Sequence, residues 1–251
     1  MIDIHAHILP NIDDGPKDES LALAILQKAE EQGVTEIVLT SHYYGKKSTP
    51  ERFAEKRAEA FEKIKASVPE KIRLRLGAEV HFSGVNVPKA EALEFFAIEG
   101  TKYVLLELPF LCRWSQAMSE RIAEFIADTG YVPILAHVER YKELRKNPQL
   151  ITELVNLGCL LQVNTGAFLD RKQKSFAFAL LKKGFVHCIG SDVHDMEKRC
   201  YNYTEAKAAV EKAGFSQEWQ EIQENMRRLL DGEIAHAVCG KSVKKFLWWY
   251  F

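Results

Sequence analysis

The chain has 251 residues, of which 47% are hydrophobic, so it can bury a large core in one sizeable domain or two small ones. Its 34 basic and 35 acidic residues leave a net charge of −1, so the chain lacks the excess of positive charge that is typical of nucleic-acid-binding proteins. The five cysteines include no C-x-x-C pair, which argues against a disulfide framework and predicts a reducing compartment. No run of about 18 apolar residues occurs, so we expect a cytoplasmic protein without a transmembrane segment.

Short apolar runs alternate with amphipathic helical stretches along the chain. The runs that predict strands are IDIHAH (2–7), EIVLTSH (36–42), RLRLGAEV (73–80), YVLLELP (103–109), VPILAHV (132–138), LLQVNTG (160–166) and CIGSDVH (188–194). Three of the helical stretches between them end in Gly33, Gly130 and Gly158, where left-handed caps are expected. This strict alternation predicts a single-domain α/β protein with a parallel sheet, open or closed into a barrel.

The last part of the chain has a different pattern. After Gly214 the sequence is typical of a helix, and it ends in the aromatic segment CGKSVKKFLWWYF. We expect residues 235–251 to form a C-terminal tail that packs on the domain. An exposed docking patch for a partner or a membrane surface is the alternative.

Ionisable side chains stand near the ends of six of the seven predicted strands. They are His5, His7, His42, Glu79, Glu107, His137, Asp192 and His194, with Asp14 in the loop after the first strand. In a parallel barrel the carboxyl ends of the strands converge on one face, where active sites are built. A single strand histidine is more often a satisfied core residue. So many ionisable groups in the most apolar runs instead indicate a functional cluster, because buried charges need partners.

Nine candidate ligands exceed the needs of one ion and would fill two or three sites, with one carboxylate as a bridge. Imidazole and carboxylate together suit Zn, Mn or Fe. Clustered divalent ions activate a water and stabilise phosphoryl oxygens. The residues therefore predict metal-assisted hydrolysis, most naturally of a phosphate ester.

Several motifs resemble those of the PHP (polymerase and histidinol phosphatase) superfamily. They are HAH at 5–7, TSH at 40–42, GAE at 77–79, AHVER at 136–140 and SDVH at 191–194. The stretches MIDIHAHILPNIDDGP, YVLLELP and AHVERY are similar to one branch, the bacterial manganese-dependent protein-tyrosine phosphatases of capsule and exopolysaccharide operons. The likeness covers residues 1–234. It implies a distorted (β/α)7 TIM-like barrel over that range, with a trinuclear metal site at the C-terminal face of the strands.

The resemblance also divides the nine candidates among three ions. The sets are His5, His7, Glu79 and Asp192; the bridging Glu79 with Glu107 and His137; and Asp14, His42 and His194. Arg140 and Arg199 would bind the substrate phosphate, and a metal-bridging hydroxide would attack it. Two to three divalent ions are implied, with Mn²⁺ first and Fe, Zn or Mg as alternatives.

The implied substrate is phosphotyrosine on a partner protein, a membrane-associated bacterial tyrosine autokinase that controls capsular or exopolysaccharide synthesis. The same barrel could instead serve a histidinol-phosphate phosphatase or another small-molecule phosphoesterase of the superfamily. A non-catalytic regulatory module of this fold is a further alternative, which the full ligand set disfavours.

A cysteine-based tyrosine phosphatase does not fit the sequence. Such enzymes need an arginine six residues after the reactive cysteine. The residues six positions after the five cysteines are Met118, Thr165, His194, Ala206 and Lys245. The Gly-Lys-Ser at 240–242 also lacks the first glycine of a P-loop, because Ala235 occupies that position.

Four further features concern the surroundings of the predicted site or the remaining histidines. The basic, aromatic loop YYGKKSTPERF (43–53) forms either the rim that admits a phosphotyrosine side chain or a solvated loop. We expect His81 to lie near the site without being a ligand, and Asp13 to be a helper or loop residue. His187 and His236 are interpreted as structural.

Overall fold

Strands and helices alternate through the chain as the sequence predicts. The structure, a computed structural model, describes residues 1–83, 88–110 and 114–233, and the backbone of two short antiparallel strands, β10 Lys245–Phe246 and β11 Trp249–Tyr250. The strands before them are β1 Ile2–Ala6, β2 Glu36–Leu39, β3 His42–Tyr43, β4 Arg73–Leu76, β5 Glu79–His81, β6 Tyr103–Glu107, β7 Val132–Leu135, β8 Leu160–Asn164 and β9 Cys188–Gly190. Apart from the backbone of β10 and β11, the predicted aromatic tail lies outside the described residues, and its packing stays a prediction.

Helices lie between successive predicted strands, as the alternating pattern indicates. The helices are α1 Glu19–Glu31, α2 Pro50–Lys65, α3 Gln116–Thr129, α4 Lys142–Lys146, α5 Gln149–Asn156, α6 Lys174–Lys182, α7 Tyr203–Lys212 and α8 Ser216–Leu230. Short 3-10 helices span Ala90–Phe95, Val138–Arg140 and Thr165–Phe168. Asp18 is the N-cap of α1, because its side chain accepts a hydrogen bond from the Leu21 backbone N–H. The left-handed conformations predicted for Gly33, Gly130 and Gly158 are confirmed, with φ of 74°, 67° and 100°.

The strands form two parallel sheets that continue into each other. One sheet has the order β1-β2-β4, and the other has the order β3-β5-β6-β7-β8-β9. β2 and β3 are two parts of the predicted strand 36–42, and β4 and β5 are two parts of 73–80. The Glu79 backbone N–H donates to the Thr40 carbonyl at 3.1 Å where the two sheets meet.

The sheets curl until the first and last parallel strands lie side by side. The Asp192 N–H donates to the His5 carbonyl at 2.8 Å, and the His7 N–H donates to the Val193 carbonyl at 3.0 Å. Gly190 permits this close approach, because a Cβ there would clash with the His5 Cβ and lie 2.9 Å from the Gln162 amide nitrogen. The segment after β9 is therefore fixed against the end of β1.

Most of the parallel strands are buried, and β4 is the exception, because its four residues are exposed or half-buried. Every residue of β1 and of β6 is buried. Strands covered on both faces read as near-continuous apolar runs, which is the pattern of the sequence. The α/β class, the parallel strands and the single domain are confirmed. No described helix combines the length and the apolar character that crossing a bilayer requires.

Candidate metal centre

All nine predicted ligands lie in one cluster where strands end. His5 and His7 are two residues apart at the end of β1, so both side chains point to the same side of that strand. Eight of the nine are buried or half-buried. Asp14 is the exception, with 60% of its side chain exposed in the loop after β1. The cluster is thus deep on one side and open to solvent at Asp14.

The first group joins the end of β1 to the segment after β9. His5, His7 and Asp192 each offer a ligand atom within 4.8 Å of the other two. The Nε2 atoms of His5 and His7 are 3.1 Å apart, and the Asp192 Oδ1 lies 3.4 Å from the His5 Nε2. These three residues belong to the first predicted set, whose fourth member is Glu79.

Glu79 lies between the groups. Its Oε2 has three imidazole nitrogens nearby: His42 Nδ1 at 2.9 Å, His7 Nε2 at 3.3 Å and His5 Nε2 at 3.4 Å. Its Oε1 lies 2.9 Å from the His137 Nε2. A carboxylate in contact with four histidines is the arrangement expected of a bridging ligand.

The second and third groups differ slightly from the predicted sets. The ligand atoms of Glu79 and Glu107 converge with that of His42, whereas His137 lies 3.7 Å from Glu107. The remaining group consists of His7, Asp14, His42 and His194. The Asp14 Oδ1 is 3.4 Å from the His42 Nε2 and 3.2 Å from the His194 Nε2.

Several donor atoms of this cluster do not hydrogen-bond to one another, although they lie close together, and this arrangement fits the binding of divalent cations. The Glu79 Oε2 and the His42 Nδ1 are both buried and 2.9 Å apart, yet neither makes a hydrogen bond of acceptable geometry. The buried His194 Nε2 likewise has no such bond, although Asp14 lies 3.2 Å away. Buried polar atoms without hydrogen bonds are costly. Imidazole and carboxylate donors that converge in this way suit Zn, Mn or Fe.

Two polar side chains hold the ligands in place. The Asp13 Oδ2 accepts from the His7 Nδ1 and from the His42 backbone N–H, both at 2.9 Å. The Gln162 Oε1 lies 3.1 Å from the His5 Nδ1 and accepts from the His137 backbone N–H at 2.7 Å. Hydrogen bonds to the second nitrogen of a ligating histidine fix its ring and raise its basicity.

Two of the candidate ligands have left-handed backbones. The φ of His137 is 35° and the φ of Asp192 is 55°. Such a conformation is uncommon for residues other than glycine and costs of order 1–3 kcal/mol. Both residues closely follow a parallel strand, and the turn directs their side chains into the cluster.

Burial and charge oppose each other in setting the pKa values of the cluster. Burial alone would lower the pKa of His7, but the charges of Asp13 and Glu79 hold it well above its usual value. Burial would raise the pKa of Glu79, but His5 and the other histidines hold it well below its ordinary value. The Glu79 carboxylate is therefore ionised, as a metal ligand must be, and metal binding would release protons from His5 and His7, whose pKa values are raised.

The two predicted phosphate-binding arginines lie at the open side of the cluster. The Arg199 Nη2 contacts the Asp192 Oδ1 at 2.6 Å, and its Nη1 is 3.4 Å from the Asp14 Oδ2. The Arg140 Nη1 contacts the other Asp192 oxygen at 3.2 Å. About a third of each arginine side chain is exposed, at 34% and 35%. Both guanidinium groups can thus be reached by an anion from solvent.

Comparison with known proteins matches a family profile described as capsular polysaccharide synthesis, CpsB/CapC, over residues 1–231. The chain belongs to this family. Tyrosine-protein phosphatase YwqE of Bacillus subtilis is 31% identical, over 98% of this chain and 97% of that protein. Tyrosine-protein phosphatase CpsB of Streptococcus pneumoniae is 33% identical, over 79% of this chain and 85% of that protein. The predicted resemblance is confirmed.

Solved structures agree with the CpsB/CapC assignment. A chain from the crystal structures of YwqE from Bacillus subtilis and CpsB from Streptococcus pneumoniae, described as unique metal-dependent tyrosine phosphatases, superposes with a TM-score of 0.84. It is 28% identical, and the match covers 98% of this chain and all of that one. A histidinol phosphate phosphatase from Lactococcus lactis has a TM-score of 0.50 at 16% identity, which is a likeness of fold alone.

Four further residues of this CpsB/CapC protein lie beside the cluster, and three of them, Gln162, Asn164 and Glu139, were not predicted there. Gln162 and Asn164 belong to the apolar run of β8, and the Asn164 Nδ2 donates to the Asp192 Oδ2 at 2.9 Å. Glu139 is fully buried next to Arg140, and burial raises its pKa to about 8. His81 lies 3.5 Å from Glu107, near the cluster as predicted.

Proposed function

We propose that this CpsB/CapC protein is a metal-dependent protein-tyrosine phosphatase that acts in capsular or exopolysaccharide synthesis. The names of its relatives YwqE and CpsB and the description of their crystal structures support the activity. The observation that carries the proposal is the buried Glu79 carboxylate, whose Oε2 lies within 3.4 Å of three imidazole nitrogens without hydrogen-bond geometry. Two reachable arginines lie beside it, as phosphate binding requires.

We also propose a barrel topology, a metal-binding face and a number of bound ions for this protein. Residues 1–234 would form a distorted (β/α)7 barrel whose metal face is the carboxyl end of the strands, with 235–251 as a packed tail. The hydrogen bonds between β1 and the segment after β9 support closure. Two to three divalent ions, Mn²⁺ first, would be held by the nine clustered residues: His5, His7, Asp14, His42, Glu79, Glu107, His137, Asp192 and His194.

When bound, divalent ions supply a water of lowered pKa and positive charge for the phosphoryl oxygens. Arg140 and Arg199 bind the phosphate in place of their present contacts to Asp192, because a guanidinium fork matches phosphate geometry. The water oxygen would form a bond to phosphorus as the bond from phosphorus to the tyrosyl oxygen breaks, and the water protons would pass to the phosphate product and to solvent. The leaving phenolate has an aqueous pKa of about 10, so it departs more readily than an alkoxide.

The proposed partner is a bacterial tyrosine autokinase whose phosphotyrosines are the substrate. Membership of a capsular polysaccharide synthesis family supports this partner. The open side of the cluster at Asp14, where 60% of the side chain is exposed, suits a phosphotyrosine on a protein surface.

The test is phosphate release from a tyrosine-phosphorylated peptide and from histidinol phosphate, each with Mn²⁺ and with EDTA. We expect metal-dependent release from phosphotyrosine, lost in His137→Ala because that variant removes the contact to Glu79. His187→Asn is the control, since His187 is a buried histidine that accepts from the Leu161 N–H outside the cluster.

The other outcomes separate the alternatives. Faster release from histidinol phosphate would move the assignment to the histidinol-phosphate phosphatases and leave the metal centre standing. Stoichiometric Mn²⁺ binding without release from either substrate would indicate a non-catalytic module. Release that persists in EDTA and in His137→Ala would overturn the metal-dependent mechanism.

A further inference from the structure

Phe110 is an exposed aromatic residue at the edge of the metal centre. Its exposed fraction is 39%, and among the described residues only Leu169 and Met196 are large apolar side chains of similar exposure. It follows β6, whose last residue is the candidate ligand Glu107. Single exposed apolar side chains are ordinary on protein surfaces, so the significance of Phe110 lies in what its ring contacts.

Specific contacts hold the ring of Phe110 in place. It stacks on the His137 ring with centroids 5.3 Å apart and an interplanar angle of 25°. On Tyr141 the centroid distance is 5.4 Å at the same angle of 25°. The Arg140 guanidinium carbon lies 4.6 Å from the ring centroid, a cation–π distance. One phenyl ring thus contacts both a candidate metal ligand and a candidate phosphate-binding residue, and part of it still faces solvent.

We propose that Phe110 determines the specificity of the site for aryl phosphates by stacking on the phenyl ring of phosphotyrosine. This inference rests on the proposed phosphatase function. In phosphotyrosine the ring is attached directly to the bridging oxygen, so a phosphate held by Arg140 places the substrate ring next to Phe110. Aromatic pairs are favourable at centroid separations of about 4.5–7 Å. Phosphoserine and histidinol phosphate have an aliphatic carbon at that position and gain no such contact.

Tyr44 is another aromatic ring at the edge of the cluster, and its surroundings differ from those of Phe110. Its centroid is 5.3 Å from that of His42 and 5.5 Å from that of His81. The Lys47 ammonium lies over the same ring, 4.5 Å from its centroid. Tyr44 is also only half-exposed. Phe110 therefore offers the more accessible aromatic surface next to a phosphate-binding arginine.

The experiment compares Phe110→Ala and Phe110→Leu with the unmodified protein. One readout is kcat/KM on a phosphotyrosyl peptide, and the other is the ratio of inhibition constants for phenylphosphonate and propylphosphonate. We expect Phe110→Ala to lower kcat/KM about tenfold, mainly through KM, which is the size of one aromatic contact. Inhibition by phenylphosphonate should weaken by a similar factor and inhibition by propylphosphonate by less than about twofold. Phe110→Leu should behave like Phe110→Ala, because it restores apolar volume but not the ring.

Two controls keep the outcomes distinct. Leu169→Ala removes an apolar side chain of similar exposure, 38%, and should change neither inhibition constant. Mn²⁺ content is measured in every variant. Equal weakening of both phosphonates would mean that Phe110 only supports His137 and Arg140, and no change in either would mean that the ring is not used. Both results overturn the inference while the phosphatase activity stands. Unmodified protein that releases no phosphate from phosphotyrosine would overturn the proposed function itself.

Discussion

Asp13 holds two candidate ligands through one carboxylate oxygen, so replacing it with asparagine tests how far the metal centre depends on that support. The Oδ2 accepts from the His7 Nδ1 and from the His42 N–H, and the Oδ1 accepts from the Gly15 N–H at 3.0 Å. The amide of an asparagine has one acceptor oxygen. If that oxygen faces the histidines, the NH₂ group faces the Gly15 N–H, and the reverse orientation leaves two donors unpaired.

The expected losses follow from these contacts. One buried donor left unsatisfied costs about 1–3 kcal/mol of stability. Loss of the partner of a ligating histidine weakens metal affinity about 10–100-fold, which corresponds to about 1.4–2.8 kcal/mol. Burial opposes ionisation of Asp13, yet His7 and the backbone donors hold its pKa at about 2, so its negative charge is present throughout the neutral range. Asp13→Asn therefore removes a charge as well as a hydrogen bond.

The assay is calorimetric titration of metal-depleted protein with Mn²⁺, together with urea unfolding in the absence of metal. Asp170→Asn is the matched control, since Asp170 accepts from the Lys172 and Gln173 N–H groups in an exposed turn. We expect the control to lose some stability and to keep its Mn²⁺ affinity. If Asp13→Asn binds Mn²⁺ as tightly as the unmodified protein, or no more weakly than Asp170→Asn, the argument that Asp13 supports the ligands is wrong.

Three further outcomes are expected. Gly190→Ala should lower the free energy of unfolding, measured with urea, by about 1–3 kcal/mol, and it should weaken Mn²⁺ binding, because the added Cβ would clash with His5. An unchanged free energy of unfolding would contradict the close approach of Gly190 to His5. Saturating Mn²⁺, at about 100 times its dissociation constant, should stabilise the protein by about 2.7 kcal/mol, seen as a rise in melting temperature that Glu79→Gln abolishes. Burial lowers the pKa of His187 from 6.5 to about 4, so the unfolded chain binds the proton more tightly and stability falls as pH drops from 6.5 towards 4. Between pH 6.5 and 4, the free energy of unfolding of metal-free His187→Asn should fall by about 3 kcal/mol less than that of the unmodified protein. Parallel pH profiles for the two proteins would refute the lowered pKa of His187.

The cluster of candidate ligands could be predicted because ionisable groups are anomalous in buried parallel strands. His5, Glu79 and Glu107 stand in apolar runs, and nothing local pairs them. Gln162 and Asn164 gave no comparable signal, since an amide in a strand is ordinary in a sequence. Their role depends on neighbours that are far away along the chain: Gln162 is 157 residues from the His5 that it contacts.

The sequence also predicted continuous strands where the structure has breaks. The predicted strand 36–42 is interrupted at Thr40 and Ser41, between β2 and β3. The Thr40 hydroxyl contacts the backbone of Ala6 in β1, and the Thr40 carbonyl accepts from Glu79. These contacts are non-local, so the apolar pattern, which reports burial, could not reveal them. The same limit applies to the division of Glu79, Glu107 and His137 among the ligand groups.

The left-handed backbones of His137 and Asp192 imply a conflict between robustness and activity in this enzyme. Glycine adopts such conformations without steric cost, so selection for a relaxed backbone alone would favour glycine at both positions. The same substitution would remove a side chain that lies 2.9 Å from Glu79 in one case and 3.4 Å from His5 in the other. Selection for a relaxed backbone at these two positions would thus lead to an inactive fold unless activity is selected at every round.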